Sequence, residues 1–160
     1  MAKVYLGLGT NMGDKEANLR IAVQLINERI GKVTSLSSFY ETAPWGFVSE
    51  NSFLNAAACV ETQRTPEEVL HLTQTIEKEL GRTLKSKNGV YCDRIIDIDL
   101  LMYGEVTLQS PELTLPHPLM TEREFVLEPL AEIAGNVVHP VLKQTIGELY
   151  TLYKAMLKEE

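Results

Sequence analysis

Little in this chain points to a fold held by anything other than its own core. Its 160 residues hold only two cysteines, Cys59 and Cys92, too few for a disulfide framework or for a zinc site with closely spaced ligands. They read as reduced thiols. No apolar run approaches the ~20 residues of a membrane-spanning helix. Basic residues are outnumbered, 15 Lys and Arg against 22 Asp and Glu, for a net charge of −7. That balance argues against a general polynucleotide binder, which needs a clustered basic face, so an anionic substrate is expected to be met by a local cationic site plus metal. No G-x-x-x-x-G-K-[ST] motif occurs, and Gly7, Gly9 and Gly13 miss G-x-G-x-x-G by one residue. A bound nucleotide is therefore not held by a P-loop. There is no internal repeat or low-complexity segment, and the strand-like Val4-Tyr5-Leu6 start leads to the expectation of no signal peptide. The expectation is a soluble cytoplasmic protein of one domain.

What is present is strong patterning. Lys3 to Gly9 alternates as a strand, and Gly7 to Gly13 reads as the tight turn after it. Asp14 then caps a helix with Leu19, Ala22, Val23, Ile26 and Ile30 on one stripe and Gly31 as its stop. Val33–Tyr40 and Phe53–Thr62 read as the second and third strands, separated by a loop, Thr42–Ser52, of functional length. Thr65-Pro66-Glu67-Glu68 is a capping box with proline at the first helical position. The helix it opens carries Val69, Leu72, Thr73, Ile76 and Leu80 inward and ends at Gly81. After a polar loop to Asp93 comes a fourth strand, Arg94–Met102. The order β-α-β-β-α-β is that of a ferredoxin-like α+β core, with helices and sheet in three α/β/α layers. A C-terminal extension follows, with a short strand near Val106–Leu108, a turn at Leu115-Pro116-His117-Pro118, and helices near Glu122–Ile133 and Gly147–Leu157.

The fourth strand carries the clearest chemistry. Asp97 and Asp99 sit two apart and face the same way with Cα atoms roughly 6.5–7 Å apart, while Ile96, Ile98 and Leu100 point to a core. Paired acids on one strand face repel each other, and a hard cation relieves that. Two Mg²⁺ ions about 3.5–4 Å apart fit between such acids, the geometry of two-metal phosphoryl chemistry. A polar edge strand is the bland reading of such a pair, and the apolar residues around it favour metal. Arg94 adds a fixed charge for phosphate oxygens. Phe53 and Asn55 share a face of the third strand and suit a flat polar heterocycle, and Phe125 can supply a second aromatic wall. Gln74 and Glu77 lie on neighbouring turns of one helix flank. His117 reads either as a hydrogen-bonded structural histidine or as a donor to phosphate, and Arg123 as a phosphate fork.

Several segments, in this order and spacing, resemble the 6-hydroxymethyl-7,8-dihydropterin pyrophosphokinase family. They are Gly7-Leu8-Gly9-Thr10-Asn11, Ser37-Ser38-Phe39-Tyr40-Glu41-Thr42, Phe53-Leu54-Asn55-Ala56-Ala57, Glu77-Lys78-Glu79-Leu80-Gly81-Arg82, Arg94-Ile95-Ile96-Asp97-Ile98-Asp99-Leu100-Leu101, Leu115-Pro116-His117-Pro118-Leu119-Met120 and Phe125-Val126-Leu127-Glu128-Pro129-Leu130. The resemblance implies a single pyrophosphokinase domain over residues 1–160. It implies transfer of the β,γ-pyrophosphoryl unit of ATP to the pterin hydroxymethyl group, releasing AMP, in folate biosynthesis. By the same resemblance, Asp97 and Asp99 hold two Mg²⁺ ions. Thr42, Pro44, Trp45, Phe53, Asn55 and Phe125 bind the pterin. Gln74, Glu77, Arg82, Arg94, Ile98, Thr114, His117 and Arg123 meet ATP, and Arg82 and Arg94 act with the acid pair in catalysis. The expected partners are these small molecules, with no nucleic acid or membrane, and the expected state is a monomer.

One stretch departs from the family pattern. Thr83–Asp93 lacks the usual second Arg and Arg-Trp-Gly-Pro-Arg run; Leu84 cannot replace a cation, so Lys85 or Lys87 is the candidate substitute, and Tyr91 stands nearest to the missing Trp. Two other classes compete with this reading. A two-metal nuclease or other nucleotidyl or phosphoryl transferase would use the same acids, but a polynucleotide substrate conflicts with the charge. A non-enzymatic ferredoxin-like sensor would explain the Phe53/Asn55 slot but not the acids beside it.

Overall fold

In the computed structural model the described residues are 1–42, 52–81 and 95–158. Strand β1 (Ala2–Thr10) leads into helix α1 (Lys15–Arg29), then come β2 (Lys32–Leu36), β3 (Tyr40–Thr42), β4 (Phe53–Thr62) and α2 (Pro66–Gly81). Strand β5 (Asp97–Tyr103), a small hairpin of β6 (Leu108–Gln109) and β7 (Thr114–Leu115), and helices α3 (Glu124–Ala134) and α4 (Ile146–Lys158) complete the chain.

The starts of α1 and α2 follow from their sequence signals. The Asp14 side chain accepts from the Ala17 amide at 3.1 Å. Thr65 and Glu68 exchange hydrogen bonds reciprocally, Glu68 N–H to Thr65 Oγ1 at 3.2 Å and Thr65 N–H to Glu68 Oε1 at 2.9 Å. Each satisfies main-chain donors that a helix N-terminus leaves without an intrahelical acceptor.

The main sheet is antiparallel, in the order β2-β4-β1-β5, with β3 also paired to β4. Alternation sorts its side chains onto two faces. One carries Val4, Leu6, Leu8, Ala56, Ala58, Val60, Ile98 and Leu100, buried against α1 and α2 through Leu19, Ala22, Ile26, Val69 and Ile76. The other carries Tyr5, Ala57 and Cys59, buried with Leu101 and Met102 against α3 and α4 through Val126, Leu127, Leu130 and Ile146. Burying a Leu or Ile fully is worth about 1.5–3 kcal/mol, so both faces contribute to stability.

Five expectations change in detail. Strand β1 runs through Thr10, so Gly7 and Gly9 lie inside a strand and the turn begins only at Asn11, with Gly13 at φ 64°. The second strand is broken into β2 and β3, because Ser37 bridges the gap: its amide donates to Ala57 O at 2.9 Å and its Oγ accepts from Ala57 N–H at 2.8 Å. The fourth strand starts at Asp97 and carries a register shift opposite Tyr5/Leu6, which sends both Leu101 and Met102 to the α3/α4 side. The β segment of the extension is Leu108–Gln109, and α3 starts at Glu124 after a 3-10 turn, Met120–Glu122.

Candidate active site

Asp97 and Asp99 are half-buried and alternate with buried Ile98 and Leu100, so both carboxylates face the α3/α4 side. That is also the face of Asn55 and Phe53, by the same alternation along β4. The registers across β1 make the relation specific. Asn55 lies opposite Gly9, which lies opposite Asp97; Ala57 lies opposite Gly7, which lies opposite Asp99. Asn55 and Asp97 are thus one strand apart on each side of a glycine, roughly 10 Å between backbones.

These glycines keep the floor of the site low. A Cβ on Gly9 would come within 2.9 Å of Asn55 Oδ1, and one on Gly7 would meet Leu101 Cδ1 at 3.4 Å. Glycine inside a strand ordinarily signals close approach by something else. The sequence reading missed this role because glycines flanking a strand end suggest a turn; their i, i+2 spacing on the Asp97/Asp99 face was the available signal.

Asn55 is buried, and its amide Nδ2 donates to Thr42 Oγ1 at 2.8 Å, which orients the side chain. Phe125, at the start of α3, packs at the margin of the second core, and the Arg123 guanidinium lies 5.6 Å from its ring centroid. Phe53, Asn55, Thr42 and Phe125 therefore gather on one side of the sheet. Pro44 and Trp45 lie outside the described residues.

A second hollow opens beyond the β5 end of the sheet, an open cleft of about 380 Å³. Gln74 and Glu77 of α2, Asp97, Ile98 and Asp99 of β5, and Thr114 and His117 are among its walls. Glu77 reaches the strand edge, where its Oε2 accepts from the Ile98 amide at 2.8 Å. His117 Nδ1 accepts from the Leu119 amide at 3.2 Å, so a neutral ring carries its proton on Nε2. Burial lowers the His117 pKa from its ordinary value; the Asp99 carboxylate opposes this and the Arg123 guanidinium reinforces it. His117 is thus both structural in its Nδ1 bond and electrostatically tied to Asp99 and Arg123. Seven predicted residues, Gln74, Glu77, Asp97, Ile98, Asp99, Thr114 and His117, meet in this cleft, with Arg123 beside it. Arg82, Arg94, Lys85, Lys87 and Tyr91 lie outside the described residues.

Among the described residues no group of three or more His, Cys, Asp or Glu is arranged to hold a metal ion. Two carboxylates over a bare floor still fit magnesium, which keeps several waters and is commonly bound by one or two carboxylates plus substrate phosphates.

Fold and site together define a small α+β protein with an acid pair on β5 between the Asn55 face of the sheet and an open cleft. The chain belongs to the 7,8-dihydro-6-hydroxymethylpterin-pyrophosphokinase family, whose profile matches residues 5–135. It is 51% identical over 135 residues to the 2-amino-4-hydroxy-6-hydroxymethyldihydropteridine pyrophosphokinase of Porphyromonas gingivalis, covering 84% of this chain and 92% of that protein. The enzyme of the same name from Aquifex aeolicus is 37% identical over 148 residues, 92% of this chain and 90% of the relative. Among solved structures, Plasmodium falciparum HPPK-DHPS with pteroate superposes with a TM-score of 0.80 at 19% identity. That match covers 99% of this chain but only 45% of the solved one, so the fold corresponds to part of a longer protein. Among the described residues no helix is long and apolar enough to cross a membrane.

Proposed function

We propose that this chain catalyses, in folate biosynthesis, attack of the hydroxymethyl oxygen of 6-hydroxymethyl-7,8-dihydropterin on the β-phosphorus of ATP. The bond from that phosphorus to the α,β-bridging oxygen breaks, AMP leaves with the bridging oxygen, and the hydroxyl proton is given up to solvent. The observation that carries this reading is the register Asn55–Gly9–Asp97. It puts the Asn55 amide and the Asp97 carboxylate on the two sides of a glycine, with the second cleft beyond the acids, which supports a heterocycle on one side and metal-bound phosphates on the other.

On this reading Asn55, oriented by Thr42, reads the pterin edge, while Phe53 and Phe125 hold its ring by offset stacking. The family resemblance adds Pro44 and Trp45 to the pterin-binding residues. Gln74, Glu77, Ile98 and Thr114 receive the nucleoside, and His117, Arg123, Arg82 and Arg94 meet the phosphates. Asp97 and Asp99 would hold two Mg²⁺ ions, which neutralise the triphosphate charge when bound. The protein otherwise contributes alignment, since such transfer needs positioning and charge more than a nucleophilic side chain. The strand order, with β3 as an addition to β4, supports a ferredoxin-like core within one pyrophosphokinase domain over residues 1–160. The acidic balance supports small-molecule substrates over a polynucleotide, and a cytoplasmic monomer is proposed on the same grounds.

The test is to incubate the protein with ATP, Mg²⁺ and the hydroxymethyl dihydropterin and analyse the nucleotide product. AMP in step with pterin diphosphate is expected. ADP, or no turnover, would sink the assignment.

A further inference from the structure

We propose that Glu132 is a positioning residue for the pterin: its carboxylate ties α3 to the segment that ends in Thr42, and so sets the gap between Phe125 and the Asn55 face. The proposal rests on the pterin reading of that face.

Glu132 is on the exposed side of α3, yet both of its oxygens are engaged by the segment before β4. Ser38 N–H donates to Oε2 at 2.9 Å and to Oε1 at 3.1 Å, Ser38 Oγ–H donates to Oε2 at 3.2 Å, and the Tyr40 hydroxyl donates to Oε1. A lone surface ion pair contributes little. Here a single carboxylate takes donors from three groups on a chain segment 92 and 94 residues away in sequence. The hydrogen bond to Glu132, followed by burial, raises the Tyr40 pKa to about 12, and the same contact lowers that of Glu132.

From this anchor the connection to the site is short in both directions. Tyr40 pairs with Asn55 in the β3–β4 ladder, and Thr42, two residues on, accepts from Asn55 Nδ2. On the helix side, Phe125 precedes Glu132 by seven residues, two turns, so both lie on one face of α3. Moving α3 from β3 would therefore move the Phe125 wall from the floor that Asn55 helps form. One turn earlier on the same face of α3, Glu128 Oε2 accepts from Tyr150 Oη of α4 at 2.7 Å, and Lys154 lies 4.5 Å over the Tyr150 ring.

Nothing in the anchor touches the β5 cleft, which gives the test its discrimination. Glu132→Gln keeps the side-chain shape but replaces one acceptor by a donor. Tyr40→Phe removes only a hydroxyl and covers the case in which the first variant folds poorly. Each is expected to raise the KM for the hydroxymethyl dihydropterin about tenfold, the loss expected for a charge-assisted hydrogen bond. The KM for ATP should stay within about twofold. Equal rises in both KM values, or an unchanged pterin KM with only a lower Tm, would overturn the proposal. Wild-type protein that releases no AMP would overturn the reading beneath it instead.

Discussion

The α3/α4 face of the sheet is two surfaces in one. Toward one end, Tyr5, Ala57, Cys59 and Met102 fill it, with Leu127, Leu130 and Ile146 packed above them. Toward the other, the same strands present Gly7 and Gly9, with Asn55 on one side and Asp99 and Asp97 on the other. The same strands run through both halves, with the register shift at Tyr5/Leu6 between them, and side-chain size makes one end a core and the other a hollow. Apolar burial drives the first, and the absence of a side chain leaves room for a ligand in the second.

Breaking the open half should matter most at its acids. Asp97→Ala or Asp99→Ala is expected to lower kcat about 10³-fold or more, in line with the several kcal/mol a metal ion supplies. The fold should survive, because neither side chain belongs to a core cluster. Near-normal turnover in both variants would remove the metal role.

A smaller effect is expected from raising the floor. Gly9→Ala places a methyl at 2.9 Å from Asn55 Oδ1 and should weaken pterin binding about tenfold, whereas Gly7→Ala, at 3.4 Å from a flexible Leu101 end, should cost less. Titration of pterin fluorescence would rank the two. Equal affinities in both variants and wild type would mean the ligand does not sit over the glycines.

The smallest effect concerns a residue outside the contrast, which serves as its control. His139 is buried, its Nδ1 accepts from the Val141 and Leu142 amides at 3.2 and 3.0 Å, and burial lowers its pKa. The folded state thus binds fewer protons here than the unfolded chain. Its contribution to stability is full above the unfolded histidine value near 6.5 and falls as pH drops from there toward the folded value. His139→Asn should flatten that part of a Tm-against-pH curve while leaving the pterin KM unchanged.

Much of this was legible in the sequence because each signal was local. Strand β4 was legible as Phe53–Thr62, and the Asp14 and Thr65/Glu68 caps were read from residue type and spacing. The alternation of Asp97 and Asp99 with Ile98 and Leu100 placed the acids and their face. What stayed hidden depended on pairing. Gly7 and Gly9 suggested a turn, and only the register with Asn55 and Asp97 gives them a floor's role. The break between β2 and β3 depends on one hydroxyl, that of Ser37, meeting Ala57. Glu132 looked like any exposed helix acid because its partners are more than 90 residues away.

The most direct test of the contrast between the halves is an amide chemical-shift map of isotope-labelled protein with Mg²⁺, a non-hydrolysable ATP analogue and 6-hydroxymethylpterin. The account predicts large shifts at Gly7, Gly9, Asn55 and Asp97 and small ones at Tyr5 and Cys59. Shifts centred on Tyr5 and Cys59, or on the β6–β7 hairpin with Gly9 and Asn55 unmoved, would contradict it.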